Sequence, residues 1–258
     1  MTRAFSLVEL SIVLVILGLL TGGILAGQSL IRAAELRSVT TEYQKHIASV
    51  QTFRDKYLSL PGDMTNATRF WGDDNAACAD AAIPNGTPGT CNGDGDGRVE
   101  YNGAGAGGST QENVQFWKQL QLAGLVEGSY TGLAGPSTPQ EAVLGTNTPT
   151  SKMSNTGWSV WYTAAPYVGS ATVYAGTYLN ILTFGTKLGT STMQGVAIRP
   201  EEAWNIDTKV DDGRPAYGKL FAGVWDSCTD ATSETDFASD YLLTSTATAC
   251  SLFFREAF

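Results

Sequence analysis

The N-terminal quarter of the chain carries two successive hydrophobic patterns. Residues 5–27 are almost entirely apolar, with Glu9 as their one charged side chain, and about 20 such residues suffice to cross a bilayer as a helix. Apolar residues then recur at steps of three and four, the period of one helical face. This stripe consists of Leu36, Val39, Tyr43, Ile47, Val50, Phe53 and Tyr57. The sequence therefore predicts one helix over 5–57, about 80 Å long, which ends before Pro61-Gly62.

The remainder, residues 58–258, predicts a single globular α+β head. Its helical patterns are short: 111–126, and 199–209 with Pro200 in the first turn. The predicted strands are 158–164, 172–184, 192–198, 217–225 and 249–254. One helix followed by a run of strands indicates an antiparallel sheet packed on the stripe of the long helix. Residues 131–155, rich in Gly, Pro, Ser and Thr, are expected to form a surface loop.

Charge and cysteine content narrow the function. The formal net charge of −9 over 258 residues disfavours nucleic acid as a partner. The four cysteines form no CxxC motif, and three disulfide pairings are possible. We expect disulfides among Cys78, Cys91, Cys228 and Cys250 because the N-terminal segment points to export. The sequence-local pairing, Cys78–Cys91 and Cys228–Cys250, would close short loops, but the sequence does not fix the pairing.

Glu9 is the most informative residue of the apolar run. A lone carboxylate in hydrocarbon needs a partner or a proton, and a chain start created by cutting between Ala4 and Phe5 would supply a positive charge at the right depth. Arg3 precedes the run, so its start should stay on the cytoplasmic side. Alternatively, Glu9 could be a polar residue tolerated near the membrane interface. The apolar run could also be a signal peptide, although a signal peptide would have a shorter apolar core.

The short leader 1–4 followed by Phe5-Ser6-Leu7-Val8-Glu9 resembles the N-terminus of type IV pilins and type II secretion pseudopilins. The resemblance implies that a prepilin peptidase removes residues 1–4 and N-methylates Phe5, and that Glu9 neutralises the N-terminus of a neighbouring subunit. Ala4 stands where that family usually has Gly. The resemblance also implies that the chain is first an inner-membrane precursor. Assembly machinery would then build it into an extracellular homopolymeric filament on a bacterial surface.

Four glycines lie within the apolar run: Gly18, Gly22, Gly23 and Gly27. Each weakens a helix by about 1 kcal/mol relative to Ala. They could permit close helix packing, or mark a stretch that unwinds when subunits pack into a filament.

The stretch 92–100, "NGDGDGRVE", begins like a calcium loop. Asn92, Asp94 and Asp96 alternate before Gly97, the backbone carbonyl of Arg98 could follow, and Glu100 or Glu112 could close the site. Gly103 stands at position twelve, where an EF-hand has Glu. The alternative is an Asx-Gly turn held by Cys91. Magnesium fits less well because it keeps its waters.

The other candidate functional residues have ordinary structural interpretations. Asp207, Asp211 and Asp212 are expected to be ordinary turn chemistry at a helix end, with a second cation site as the alternative. His46 is expected to pack or be solvated on the long helix. The chain has no P-loop, dinucleotide fingerprint or GxSxG elbow, so we expect no enzyme. The function predicted is a filament subunit; the alternatives are a type II secretion pseudopilin and a membrane-anchored calcium-dependent binding module.

Overall fold

The computed structural model describes residues 6–72, 89–100, 111–138, 140–163, 173–223, 225–255 and 258. Its longest element is helix α1, Leu7–Tyr57, whose 51 residues span about 77 Å. The helix begins after Ser6, whose hydroxyl accepts a hydrogen bond from the Val8 amide, and ends at Leu58, which is left-handed with φ 56°. The long helix predicted from the sequence is thus confirmed over 7–57.

The two halves of α1 have opposite surroundings. In the first half, apolar side chains such as Leu14 (61 % exposed) and Leu20 (55 %) are uncovered. Its most apolar 18-residue window has a mean hydropathy of 2.4 with none of it buried, so by length and composition this part could cross a membrane. In the second half, Val39, Val50 and Phe53 are buried. One continuous helix therefore joins a bare apolar segment to a stalk that the head covers.

The described part of the head contains four further helices and five strands. The helices are α2 Thr68–Trp71, α3 Glu112–Leu122, α4 Pro200–Val210 and α5 Trp225–Cys228. The strands are β1 Gly157–Thr163, β2 Leu179–Lys187, β3 Met193–Gly195, β4 Leu220–Gly223 and β5 Ser251–Phe254. They pair antiparallel in the order β1-β2-β5-β4, with β3 on the end of β2.

Side chains alternate between the two faces of this sheet. Val160 and its cross-strand partner Leu182 join the larger core cluster, whereas the adjacent pair, Trp161 and Ile181, joins a second cluster. Along β5, Phe254 likewise belongs to the first cluster. Both faces are therefore buried, one of them against the stalk.

Aromatic side chains hold the stalk on the sheet. The ring of Tyr43 stacks on that of Phe254, with centroids 4.1 Å apart. The imidazole of His46 meets Trp117 of α3 at 5.0 Å and Trp158 of β1 at 5.3 Å, edge to face in both cases. The predicted fold class, a long N-terminal helix packed on an antiparallel sheet, is confirmed.

A bidentate ion pair marks the point where α1 first meets the head. Nε and Nη2 of Arg32 donate to the two carboxylate oxygens of Glu202 in α4, each at 2.6 Å. Arg32 also donates to Glu35, one helical turn farther on, at 3.1 Å. The planar guanidinium fits this two-point contact, which fixes α4 against the stalk.

Several predicted boundaries are wrong. The strand predicted from residue 172 begins at Leu179, whose φ of 59° lies outside the extended region and interrupts the strand there. At its other end β2 extends to Lys187, because β3 pairs with it there. Helix α3 ends at 122, before Gly124, whose φ of 74° is left-handed. As predicted, residues 131–138 and 140–155 contain no helix or strand.

Cys228 and Cys250 form a disulfide across the end of α5 and the start of β5, which selects this bridge from the pairings that the sequence left open. Cys91 is also disulfide-bonded. The remaining cysteine, Cys78, lies outside the described residues.

Candidate functional site

The first turn of α1 places Glu9 at an exposed position. Its Oε2 accepts a hydrogen bond of 2.9 Å from the Ser6 amide, while the Ser6 hydroxyl accepts one from the Val8 amide, which together make a capping box. One carboxylate oxygen is thus engaged by the start of its own helix. Ala4 and Phe5, the predicted cleavage pair, lie outside the described residues.

The glycines of the apolar run lie inside continuous helix. Cβ atoms built at Gly18, Gly22, Gly23 and Gly27 would meet nothing within 4 Å. Within this single chain they therefore contact no neighbour that requires glycine, and the predicted unwinding concerns a filament of many copies.

The predicted calcium loop folds around Asp63, a residue that follows the end of α1. The Gly95 amide donates to Oδ1 of Asp63 at 2.7 Å, and the Gly97 amide donates to Oδ2 at 3.0 Å. Both glycines have positive φ, 80° and 85°, a conformation that turns the two amides inward at little steric cost. Asp63 itself is 3 % exposed, so it holds the loop from inside.

Glu112, the first residue of α3, holds the same loop from the opposite side. Its Oε1 accepts from the Asp94 amide at 3.2 Å and its Oε2 from the Glu100 amide at 3.1 Å. The side chain is 1 % exposed. Glu112, one of the two residues proposed from the sequence to close the calcium site, therefore contacts this loop.

Three carboxylates converge there: oxygens of Asp63, Asp94 and Glu112 lie within 4.8 Å of one another. Burial, reinforced by the negative charges of Asp96 and Asp94, raises the pKa of Asp63 to about 6. Burial and the nearby Asp63 raise the pKa of Glu112 to about 8. The negative charge of these three carboxylates is therefore unfavourable. It can be compensated by a proton or by a hard cation that binds the carboxylate oxygens.

The other predicted ligands lie on the outer side of the loop. Asp94, Asp96 and Glu100 form a second group with oxygens within 4.8 Å of one another. The Arg98 guanidinium lies 3.3 Å from Asp96 and 3.9 Å from Glu100, so it already partly balances their charge. It also covers the ring of Tyr162 at 4.9 Å, which fixes its direction.

Asn92 faces away from the carboxylates towards α2. Its Oδ1 accepts a hydrogen bond of 2.9 Å from the Thr68 amide, at the start of that helix. The site thus contains Asp63, which the sequence analysis missed, and engages Asn92 elsewhere. The only sequence signal for Asp63 was its place directly after Leu60-Pro61-Gly62, where the stalk must end.

No protein-family model, curated protein or solved structure significantly matches this chain. The class of the molecule therefore follows from its own architecture: an α+β head carried on a single N-terminal helix whose first half is apolar and uncovered.

Proposed function

We propose that this chain is a pilin-like filament subunit, exported through the inner membrane, cut between Ala4 and Phe5, and assembled through its N-terminal helix. The supporting observation is the helix α1: its first half is apolar on every side and uncovered, while its second half is fixed to the head. A helix that is apolar all round needs lipid or other helices. A bilayer provides the first environment, and the same segments of neighbouring copies provide the second.

Glu9 is the residue on which assembly depends. The Ser6 amide engages one carboxylate oxygen, and a neutral amide leaves the negative charge uncompensated in a low-dielectric surrounding. The freed α-amino group of Phe5 on an adjacent subunit supplies the missing charge. Prepilin peptidase would create that group and N-methylate it, and the pilus assembly machinery would then transfer the subunit from the membrane to the extracellular filament.

Replacing Glu9 by Gln separates the charge from the cap. Gln serves at this position of a capping box as Glu does, so Glu9→Gln keeps the helix start and removes only the charge. Breaking a buried ion pair costs about 3–5 kcal/mol, and we expect sheared filaments to fall at least a hundred-fold. Glu35→Gln, on the same helix beside the head, is the matched control and should assemble normally.

Two results would overturn this assignment. Normal filaments from Glu9→Gln would reduce Glu9 to a capping residue. Mass spectrometry of filaments that still contain residues 1–4 would remove the charge partner. The same shearing experiment separates a surface filament from the pseudopilin alternative, in which the chain stays with the cell envelope.

We also propose that the loop around Asp63, Asp94 and Glu112 binds calcium and thereby orders this part of the head. This proposal is supported by the convergence of three carboxylates, two of them buried, just beyond the C-terminal end of α1. The same loop favours a second candidate function, a membrane-anchored calcium-dependent binding module that never polymerises. That alternative predicts a protein that remains monomeric in detergent and loses its ligand when calcium is chelated.

A further inference from the structure

A second acidic group lies at the C-terminal end of α4. Asp207 belongs to the last turn of that helix, Asp211 is its C-cap, and Asp212 follows. One carboxylate oxygen from each lies within 4.8 Å of the others. The sequence reading of ordinary turn chemistry fits Asp212, whose Oδ1 accepts from the Arg214 amide at 2.8 Å. It does not fit Asp207, which lies within a helix and is fully buried.

Asp207 has an oxygen that the protein leaves without a donor. Its Oδ2 accepts from the hydroxyl of Tyr241 at 2.8 Å, whereas Oδ1 is buried and has no hydrogen-bond partner among the described residues. Burial raises the pKa of Asp207 to about 7, although the Tyr241 hydroxyl and the Gly213 amide act to lower it. The Gly213 amide does not reach Oδ1 with hydrogen-bond geometry. An unsatisfied buried acceptor costs about 1–3 kcal/mol, and more when it is charged.

Asp211 and Asp212 resemble Asp207 in that only one oxygen of each carboxylate accepts hydrogen bonds. Oδ2 of Asp211 accepts from the backbone amides of Lys219 and Leu220, and Oδ1 of Asp212 accepts from Arg214. Among the hydrogen bonds of the described residues, none reaches the remaining oxygen of either side chain. Each of the three carboxylates is therefore held in place through one oxygen and keeps the other for a further partner.

The charges around this group are unbalanced. No ion pair between described residues involves any of the three carboxylates. They also gather at the C-terminal end of a helix, where the helix dipole is negative and acidic side chains are unfavourable. A bound positive ion would remove both penalties and give Oδ1 of Asp207 its partner.

We propose that Asp207, Asp211 and Asp212 bind a hard divalent cation, with calcium as the best-suited ion, at the end of α4. Oxygen ligands from carboxylates suit calcium. Asp207 would supply the inner ligand, and the two exposed-side residues would close the site towards solvent. This site is separate from the Asp63 loop and does not depend on whether the chain polymerises.

Terbium, which replaces calcium and emits when a nearby aromatic ring is excited, provides the test on the full chain in detergent. Tyr241 contacts Asp207 directly, so an ion at this site should show strong tyrosine-sensitised emission. Asp211→Asn should weaken terbium and calcium binding there at least tenfold, and Asp207→Asn should abolish it. The exposed Asp240→Asn removes the same charge nearby and should bind normally, and Asp94→Asn, in the other loop, should keep this emission.

Thermal unfolding distinguishes a variant that has lost the cation site from one that is simply less stable. In a chelator, Asp207→Asn should be at least as stable as the wild type, since it removes a buried charge; in calcium, only the wild type should gain at this site. The proposal is wrong if Asp207→Asn and Asp211→Asn bind terbium like the wild type, or if Asp94→Asn alone eliminates all binding.

Discussion

The single histidine of the chain provides a direct measure of how α1 is held on the head. His46 is 6 % exposed between Trp117 and Trp158. Burial, and secondarily the charge of Lys45, lowers the pKa of His46 to about 3, whereas an unfolded histidine titrates near 6.5. The imidazole is thus buried neutral, and its contribution to stability is complete above pH 6.5 and is lost as the pH falls towards 3.

The size of the effect follows from linkage. At pH 5 an unfolded histidine is almost fully protonated while the folded one is not, so this residue should destabilise the fold by about 2 kcal/mol relative to pH 8. Asp63 and Glu112 have raised pKa values and act in the opposite direction. The quantity to measure is therefore the difference between the wild type and His46→Leu, which fills the site without titrating.

Urea unfolding of the full chain in non-ionic detergent, at steps between pH 8 and pH 5, gives that difference. NMR should show the imidazole of the folded protein unchanged over the same range, with no other histidine to confuse the signal. Lys45→Gln is the control: it removes only the secondary cause, so most of the effect should remain. If the wild type and His46→Leu change in parallel, or if the folded imidazole titrates near pH 6.5, the packing described for the stalk is wrong.

Two further predictions concern the loop and the core. Calcium at a hundred times its dissociation constant should stabilise the protein by about 2.7 kcal/mol, a rise in Tm of roughly 5–10 °C by calorimetry. In the Asp207→Asn background, which lacks the other proposed calcium site, Glu112→Gln should abolish the rise and Asp240→Asn should keep it. The rise should shrink from pH 8 to pH 5, because protons compete at Glu112 and Asp63. A calcium-independent Tm would contradict the site. Phe53→Ala, at a fully buried position, should cost about 3–5 kcal/mol in urea, and Phe70→Ala, at 55 % exposure, under about 1 kcal/mol; equal costs would contradict the assignment of the stripe.

Local periodicity was sufficient to predict the longer elements of this fold, whereas the four-residue helices α2 and α5 were not predicted. The stripe containing Val39, Val50 and Phe53 repeats over several turns, and a helix satisfies such spacing without help from elsewhere in the chain. Strand ends were less accurate because pairing partners also decide them: β2 extends to Lys187 because β3 pairs with it there. No local pattern contains that information.

The candidate site was predictable only where its ligands are close in sequence. The spacing of Asp94 and its neighbours predicts an acidic loop. Asp63 lies some thirty positions earlier in the sequence, and it joins these carboxylates only because α1 ends beside the loop. The sequence did group Asp207 with Asp211 and Asp212, but their spacing is that of a common helix end. Only the burial of Asp207 beside Tyr241 favours a cation site over turn chemistry.

The continuity of α1 has a mechanical consequence. Because the helix runs without a proline from the uncovered segment into the stalk, tension applied to the head passes directly along its axis. The stalk is braced by the sheet, by the Arg32–Glu202 contact and by aromatic packing. Among the described residues, the stretch from Gly18 to Gly27 is held only by hydrogen bonds within its own helix, including those from the Thr21 hydroxyl. In the proposed filament, a pulled subunit would therefore lengthen first in that glycine-containing stretch, and the head would keep its shape.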